Sequence, residues 1–447
     1  MIFFESLRKL AAVFAILLLI GYPILVYAST VSDTSCDVGE FGSGSNSDTE
    51  CVSNQVQLDS TGMTNGSGNF TSRVIDAGGS AAWSGLSWTP NFPYFKNVPD
   101  NGATESVYAN GNIDASGILV SYHMDESSWD GTADEVLDGS GDENHGVRVG
   151  NADTNASGRI DRAGSFDGGG DYVNAGTITT LGINTDKTVS LWIYINSKGS
   201  AERVFTKNKS SHALGYGIAF ETNGNLVSFF NDGTEIKAGF GNFSTGVWYH
   251  LVSVYDESTP AITNYVNGSL VSVTAGAGWG FDANDALQVG GRAGASQWFD
   301  GKIDEFTIWE GSLSATDVSA LYKRGALRLL YQVRSCDDDA CSGESFIGPD
   351  GTGATYYSEL TSPQTGFPSK TLTNLEDNQY FQYKAYFETL DDTLTPELLD
   401  LTVSYTSLVS GVPEFSDTVY LVSILFGVCY MSRALFQQHN LNTKTEA

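Results

Sequence analysis

Short segments of alternating apolar and polar residues recur along most of the chain, separated by turns rich in glycine and asparagine. Alternation with a period of two is typical of strands that bury one face. The spacing between residues 117 and 326 predicts an all-β sandwich or barrel. The predicted strands there are Ile118–His123, Ser165–Asp167, Asp171–Asn174, Val189–Ile195, Arg203–Lys207, Tyr216–Glu221, Leu226–Asn231, Trp248–Tyr255, Ile262–Val266, Leu287–Gly290 and Lys302–Trp309.

One helix interrupts this pattern near the end of the strand-rich region. Its predicted span is Ala315–Lys323, with Ser314 as the N-cap and Asp317 three residues further on. Gly325 is predicted to end the helix.

Strand patterns also flank this region on both sides. Two short strands, Arg73–Asp76 and Leu86–Thr89, surround a Gly-Gly-Ser turn, and residues 327–406 are again strand-rich. Residues 70–116 hold too few strands to bury a core alone. We therefore predict a split β-sandwich of 70–116 plus 327–406, with 117–326 inserted. The alternative is an independent sandwich at 327–406, with 70–116 as a linker.

Both chain ends are predicted to be address or membrane segments. Residues 1–28 resemble a secretory signal, with a long apolar run and small residues before a cleavage point after Ala28, although an uncleaved anchor stays open. Residues 29–69 are rich in Ser and Gly and are predicted to be a linker. A linker at 407–417 precedes a predicted transmembrane helix at 418–436 and a tail at 437–447.

The charge and cysteine content place the chain outside the cytosol. Asp and Glu total 53 against 23 Lys and Arg, a net charge of −30, which argues against a nucleic-acid partner. Two local disulfides are predicted, Cys36–Cys51 and Cys336–Cys341. A metal site is the alternative for the second pair.

Several ordered motifs make residues 117–326 resemble the LamG-like jelly rolls of the concanavalin A-like superfamily. The resemblance departs from the family pattern at Asp142 and Glu143. It implies a module that binds or adheres rather than one that catalyses. The motifs are Tyr122–Glu126, Asp138–Gly146, Phe166–Val173, Ser190–Trp192, Trp248–His250, Val266–Gly268 and Gly301–Trp309.

The same resemblance implies a structural Ca²⁺ where the first and last strands meet. Its candidate ligands are Asp304, Asp125, Asp167 and Asp171, because Ca²⁺ takes six to eight oxygen ligands. The alternative is that Asp304 and Asp125 are carboxylates satisfied by backbone amides.

Motifs that would indicate catalysis are missing from the sequence of the jelly-roll region. Residues 117–326 contain neither the Glu-x-Asp array of related glucanases nor a Gly-x-Ser-x-Gly turn. Trp298, in a loop-like stretch, is the candidate ligand contact, since aromatic rings stack on sugars. His250 is expected to be a packed residue rather than a base.

The C-terminal segment adds a second resemblance. Val412-Pro413-Glu414-Phe415-Ser416-Asp417 and the apolar run after it resemble a PEP-CTERM-type sorting signal, which implies a sorting enzyme as partner. We therefore expect a secreted, C-terminally anchored surface protein that binds a glycan or a cell-surface protein. A structural envelope component without a ligand is the alternative, and a glycan-active hydrolase is the least favoured.

Overall fold

A computed structural model describes residues 25–182, 185–199, 201–208, 215–231, 234–276, 285–360 and 366–409. Most of the predicted signal, the sorting motif and the predicted transmembrane helix at 418–436 lie outside these ranges. Within them, neither helix combines the length and apolar character needed to cross a membrane.

The jelly roll consists of two antiparallel sheets, and the all-β expectation is confirmed. One sheet has the strand order β19-β18-β17-β12-β21-β10-β9, with β7 also paired to β21, and the other has the order β16-β15-β14-β13-β20-β11-β8. The first strand and the last strand are neighbours, since Tyr122 pairs with Phe306. The bounds are β7 Ile118–Tyr122, β8 Val147–Val149, β9 Asp153–Asn155, β10 Ala163–Asp167, β11 Tyr172–Thr177, β12 Lys187–Ile195, β13 Arg203–Asn208, β14 Gly215–Phe220, β15 Leu226–Asn231, β16 Glu235–Gly241, β17 Trp248–Asp256, β18 Ala261–Val266, β19 Ser269–Ala275, β20 Ala286–Val289 and β21 Asp300–Glu310.

The inner faces of these two sheets form one core. Phe306 of the eight-stranded sheet lies 5.3 Å from Phe205 of the seven-stranded sheet, measured between ring centroids. Ile193 and Val289 contribute to the same cluster from opposite sheets. Alternation therefore places the residues between these core positions on the outer faces.

A third sheet, of ten strands, takes its strands from both sides of the jelly roll in sequence. Its order is β2-β5-β24-β6-β25-β4-β3, with β1 paired to β25, β22 to β24 and β23 to β6. The rings of Trp88 and Tyr331, which lie on opposite sides of the jelly roll in sequence, are 4.5 Å apart in its core. The bounds are β1 Leu25–Asp33, β2 Ser45–Ser47, β3 Thr49–Val52, β4 Gln55–Leu58, β5 Ser67–Thr71, β6 Ile75–Pro90, β22 Leu327–Cys336, β23 Ser369–Thr371, β24 Asn378–Thr389 and β25 Leu398–Val409.

Residues 29–69, which the sequence predicts to be a linker, are instead part of the folded ten-stranded sheet. It holds β2 to β5, most of β1, a 3₁₀ turn at Phe41–Ser43 and the short helix α1 at Ser60–Asn65. Phe41, Val56 and Leu58 are fully buried in the core. Small polar residues on the exposed side of these short strands hide their alternation. The expected cleavage point after Ala28 falls inside β1.

The two strands expected around the Gly-Gly-Ser turn form one long strand, β6. Gly78 has a φ of 74°, and the pairing of β6 with β24 shifts register between Asn378 and Tyr380, opposite this stretch. The glycines thus accommodate an irregularity within the strand rather than a hairpin. Consequently Ile75, and not Val74, reaches the core.

Helix α2, Ala315–Ala326, begins as expected and ends later. Ser314 and Asp317 form a reciprocal capping box. Gly325 lies within the helix and does not end it. A Cβ on Gly325 would come within 2.6 Å of the Trp192 ring. Glycine is therefore needed at this position for close packing of the helix on β12.

A buried network of charged groups joins the jelly roll to the ten-stranded sheet. Glu105, in the connection before β7, accepts hydrogen bonds from Arg324 of α2, and Lys96 Nζ lies 3.3 Å from Glu105 Oε1. Lys96 also donates to the Tyr108 hydroxyl at 2.8 Å, and that hydroxyl donates to Glu359 at 2.9 Å. These contacts hold the two bodies together through paired charges rather than through an apolar seam alone.

Candidate ligand-binding site

Asp304 binds backbone rather than projecting toward solvent. It is fully buried, and its Oδ2 accepts hydrogen bonds from the backbone N–H groups of Arg159 at 2.6 Å and Ile160 at 2.9 Å. Burial and the nearby charges of Glu305 and Asp125 raise the pKa of Asp304 well above its usual range. A β-bulge at this point leaves both Asp304 and Glu305 buried, so simple alternation does not hold there. Asp304 thus fastens the segment before β10 to the last strand.

Asp125 is near Asp304 but has its own partners. Its two carboxylate oxygens accept hydrogen bonds from the Arg162 backbone at 2.9 Å and from Asn97 at 2.8 Å. Burial, reinforced by the charge of Glu305, raises the pKa of Asp125 to about 7. Asp125 also lines a cleft of about 420 Å³ beside the connection to the ten-stranded sheet.

Asp167 and Asp171 form a separate pair in the glycine-rich loop between β10 and β11. Asp171 accepts hydrogen bonds from the backbone N–H groups of Asn151 and Asp167, at 2.8 and 3.2 Å. Asp167 accepts from Gly169 and from the Asn151 side chain, at 2.7 and 3.1 Å. Their role in the structure is to shape this loop.

The four predicted calcium ligands are not gathered into one group, and the calcium site stays a prediction. Across the described ranges, no group of three or more His, Cys, Asp or Glu side chains is arranged to hold a metal ion. Ca²⁺ takes six to eight oxygen ligands, and both oxygens of Asp125 accept hydrogen bonds from the protein. The alternative interpretation, a carboxylate satisfied by amides, describes Asp125, whereas Asp304 Oδ1 is buried without a hydrogen-bond partner among the described residues.

We expect EDTA to leave the melting temperature of the full-length protein unchanged. A metal bound only by the native state must raise that temperature, because binding shifts the unfolding equilibrium. The measurement is differential scanning calorimetry with EDTA and with added CaCl₂. A fall of several degrees in EDTA, reversed by calcium, would restore the calcium prediction.

Both predicted disulfides form, which settles the alternative for the second pair. Cys36 bonds to Cys51, and Cys336 bonds to Cys341. The first ties the segment before β2 to β3. The second closes the loop that follows β22.

Trp298 lies where a ligand could reach it, beside the outer face of the seven-stranded sheet. It is half-buried, and it pairs with Arg203, the first residue of β13, in an isolated parallel bridge. A Cβ on Gly291 would come within 2.9 Å of the Trp298 indole, so the ring packs against bare backbone. The indole is thereby held in place by backbone beside Arg203.

Arg203 is the main feature of this face that sequence reasoning missed. Its guanidinium carbon lies 4.4 Å above the Phe229 ring, and Phe229 in turn packs over Gly217. Phe229 is buried but lies outside the inner core, so the stack is on the outer face. The available signal was an arginine at the start of a strand, directly before the apolar pair Val204 and Phe205. A solvated strand end would give the same pattern in sequence.

A cavity of about 290 Å³ opens beside Arg203 on this outer face. Charged side chains of β16 border it, with Lys237 paired to Glu221 at 3.3 Å and to Glu235 at 3.0 Å. Polar groups therefore surround a partly apolar floor, as in many small-molecule sites. The lining residues are Ala201, Arg203, Ala219, Phe220, Glu221, Thr222, Asn223, Val227, Glu235 and Lys237.

Residues 167–319 match the family model of the concanavalin A-like lectin/glucanases superfamily. The resemblance stated for this region is confirmed, and the sorting-signal resemblance stays a prediction. No curated protein matches the chain.

Solved structures with a similar fold include two from toxins and one from an arabinanase. Domain 4 of AbnA, a GH43 extracellular arabinanase from Geobacillus stearothermophilus, solved with arabinotriose, is 21% identical, with a TM-score of 0.40 over 46% of this chain and 98% of that one. The binding domain of Paraclostridial Mosquitocidal Protein 1 is 14% identical, with a TM-score of 0.39 over 58% and 71%. The receptor binding domain of botulinum neurotoxin D is 16% identical, with a TM-score of 0.38 over 50% and 56%. These values are too low to indicate a ligand for this chain.

Stability is expected to fall as the pH rises from about 5 to 8, in part because of Glu359. Burial raises the pKa of Glu359 from 4.5 to about 8. The native state therefore holds this proton more tightly than the unfolded state, and its contribution is lost as the pH passes through the folded pKa. Urea unfolding of wild type and Glu359→Gln at pH 5, 6, 7 and 8 measures the effect. The variant should show a flatter dependence, and two parallel curves would contradict this assignment.

Proposed function

We propose that this chain is a non-catalytic surface protein whose jelly roll binds a glycan on the outer face of its seven-stranded sheet. The single observation that carries the proposal is the half-buried Trp298 held beside Arg203 at that face. A fixed indole presents an apolar surface at little entropic cost, and that surface suits the apolar face of a sugar ring. The superfamily match at 167–319 supports a carbohydrate ligand.

We further propose that the rest of the folded chain is a host domain into which the jelly roll is inserted. Residues 70–116 and 327–406 would form the split host, to which residues 29–69 also contribute strands. The host is one ten-stranded sheet around a core rather than two facing sheets. Secretion, attachment through 418–436 and recognition by a sorting enzyme remain part of the proposal.

The contact between His250 and the Ser190 hydroxyl supports a non-catalytic role. His250 Nε2 lies 2.8 Å from Ser190 Oγ, as a base and a nucleophile would. However, His250 is only 2% exposed, and burial lowers its pKa to about 3. A base so weak and so enclosed is poorly suited to activate Ser190 at neutral pH.

Trp298→Ala is expected to weaken glycan binding about tenfold or more, because aromatic anchors dominate such contacts. The full-length protein is screened on a glycan array, and the best ligands are then titrated by calorimetry. The matched control is Tyr356→Ala, which removes a similarly accessible ring, 39% exposed, from the host.

Three results would count against the proposal. Equal losses in both variants would move the site away from Trp298. A blank array would favour the structural alternative. Turnover of a polysaccharide during the titrations would favour the hydrolase.

A further inference from the structure

The guanidinium of Arg203 is a buried cation, and the described residues offer it no polar partner. Its side chain makes no hydrogen bond or ion pair within the described part of the chain, and its Nε is buried without an acceptor. The residue is only 8% exposed. An arginine carries five N–H donors and stays charged at neutral pH, so an unpaired buried guanidinium is costly. The cation–π contact with Phe229 uses the face of the guanidinium and leaves its edge for acceptors.

The charges around Arg203 do not supply the counter-charge that its buried guanidinium lacks. Arg292 is near enough for its like charge to act, with burial, in lowering the pKa of Arg203 to about 10. Glu235 acts in the opposite direction, but its carboxylate is 3.0 Å from Lys237 and is thus already paired. Among the described residues around Arg203, no carboxylate is therefore paired with its guanidinium.

We propose that Arg203 binds the carboxylate of an acidic sugar, so that the ligand of the jelly roll is a uronic-acid-containing glycan. This inference rests on the proposed glycan-binding function. A planar guanidinium edge matches a carboxylate in two parallel hydrogen bonds. The cavity of about 290 Å³ is small for a ligand site and accommodates a short saccharide unit. Trp298 then stacks on the adjoining sugar ring.

The overall charge narrows the class of ligand further. A densely sulfated polyanion would be repelled by the net charge of −30, whereas an isolated carboxylate is held by short-range contacts. The inference therefore commits to a uronate and not to a heparin-like chain.

The test uses two matched forms of each ligand on the full-length protein. Uronic-acid oligosaccharides of the galacturonate, glucuronate and mannuronate series are titrated before and after carboxyl reduction, which exchanges only the carboxylate for a neutral alcohol. We expect the affinity for the acidic form to be at least about tenfold higher than for the reduced form, because only the acidic form makes a charge-assisted bidentate contact. Arg203→Gln should abolish that difference, and Arg203→Lys should restore only part of it.

Controls separate this inference from the proposed function. Lys302→Gln, which removes a charge from the other sheet, should leave the preference intact, and melting temperatures show that each variant is folded. Equal binding of both forms with Trp298 still required would overturn the uronate inference alone. If neither form binds at millimolar concentration, the uronate inference is also overturned. In that case the proposed function still stands if neutral glycans bind on the array and Trp298→Ala abolishes their binding. Arg203-dependent binding of sulfated sugars only would contradict the carboxylate assignment.

Discussion

Replacing Glu105 with Gln is expected to lower the free energy of unfolding by about 3–5 kcal/mol, because it leaves buried cations without their counter-charge. Glu105 has no exposed side-chain surface, and it holds both Arg324 and Lys96. A neutral amide cannot compensate either charge, and burial prevents water from doing so. Urea unfolding at pH 7 measures the change.

A surface ion pair provides the matched control for this variant. Arg328 lies 3.5 Å from Glu388, whose side chain is 42% exposed. Glu388→Gln should change the free energy of unfolding by about 1 kcal/mol or less, since exposed pairs contribute little. Similar effects of the two variants would mean that water reaches the buried network. Combining Glu105→Leu with Arg324→Met should recover part of the loss, because one of the two cations that Glu105 holds is removed together with the carboxylate.

Trp88→Ala is expected to destabilise the ten-stranded sheet by about 3–5 kcal/mol, the usual cost of truncating a large buried aromatic residue. Trp88 is 1% exposed and packs against Tyr331, which follows the jelly roll in sequence. The loss therefore falls on a contact between the two parts of the host. Unfolding followed by tryptophan fluorescence gives the magnitude.

The same contact predicts that residues 327–409 do not fold without residues 25–90. Strand β24 lies between β5 and β6, and β25 lies between β6 and β4, so removal of the earlier strands exposes both. Circular dichroism and a denaturant titration of the isolated segment test this. Cooperative unfolding of that segment would support an independent sandwich instead of a split one. Trp298→Ala is the control for Trp88→Ala. Because Trp298 is half-buried and lies in the jelly roll, its truncation should lower the free energy of unfolding much less.

Glycines show how far a sequence pattern can mislead about local structure. The sequence around Gly78 predicts a turn, yet β6 runs through it as one strand. Gly325 predicts a helix end, yet it lies within α2, and glycine is needed there because Trp192 leaves no room for a Cβ. In both cases the residue type was informative, but the reason for it was a partner distant in sequence.

The prediction of a linker at residues 29–69 was wrong for a related reason. Its strands are three to five residues long after β1, and their exposed positions carry Ser, Thr and Asn. Composition alone then favours a linker, whereas the burial of Phe41, Val56 and Leu58 depends on strands from the far end of the chain. Only the closed core makes those apolar residues recognisable as core residues.

The sequence by itself determined the all-β class, the resemblance to a jelly roll, the capping of α2 and both disulfide pairs. These follow from alternation, motif order and short cysteine separations, which are local properties of the chain. The tertiary structure decided how the carboxylates are used and where a ligand could bind. Asp304 and Asp125 bind neighbouring amides, while the side chain of Arg203, flanked by Trp298 and Phe229, has no hydrogen-bond acceptor among the described residues. Such roles depend on which partners surround a charge in space, and alternation along a strand does not contain that information.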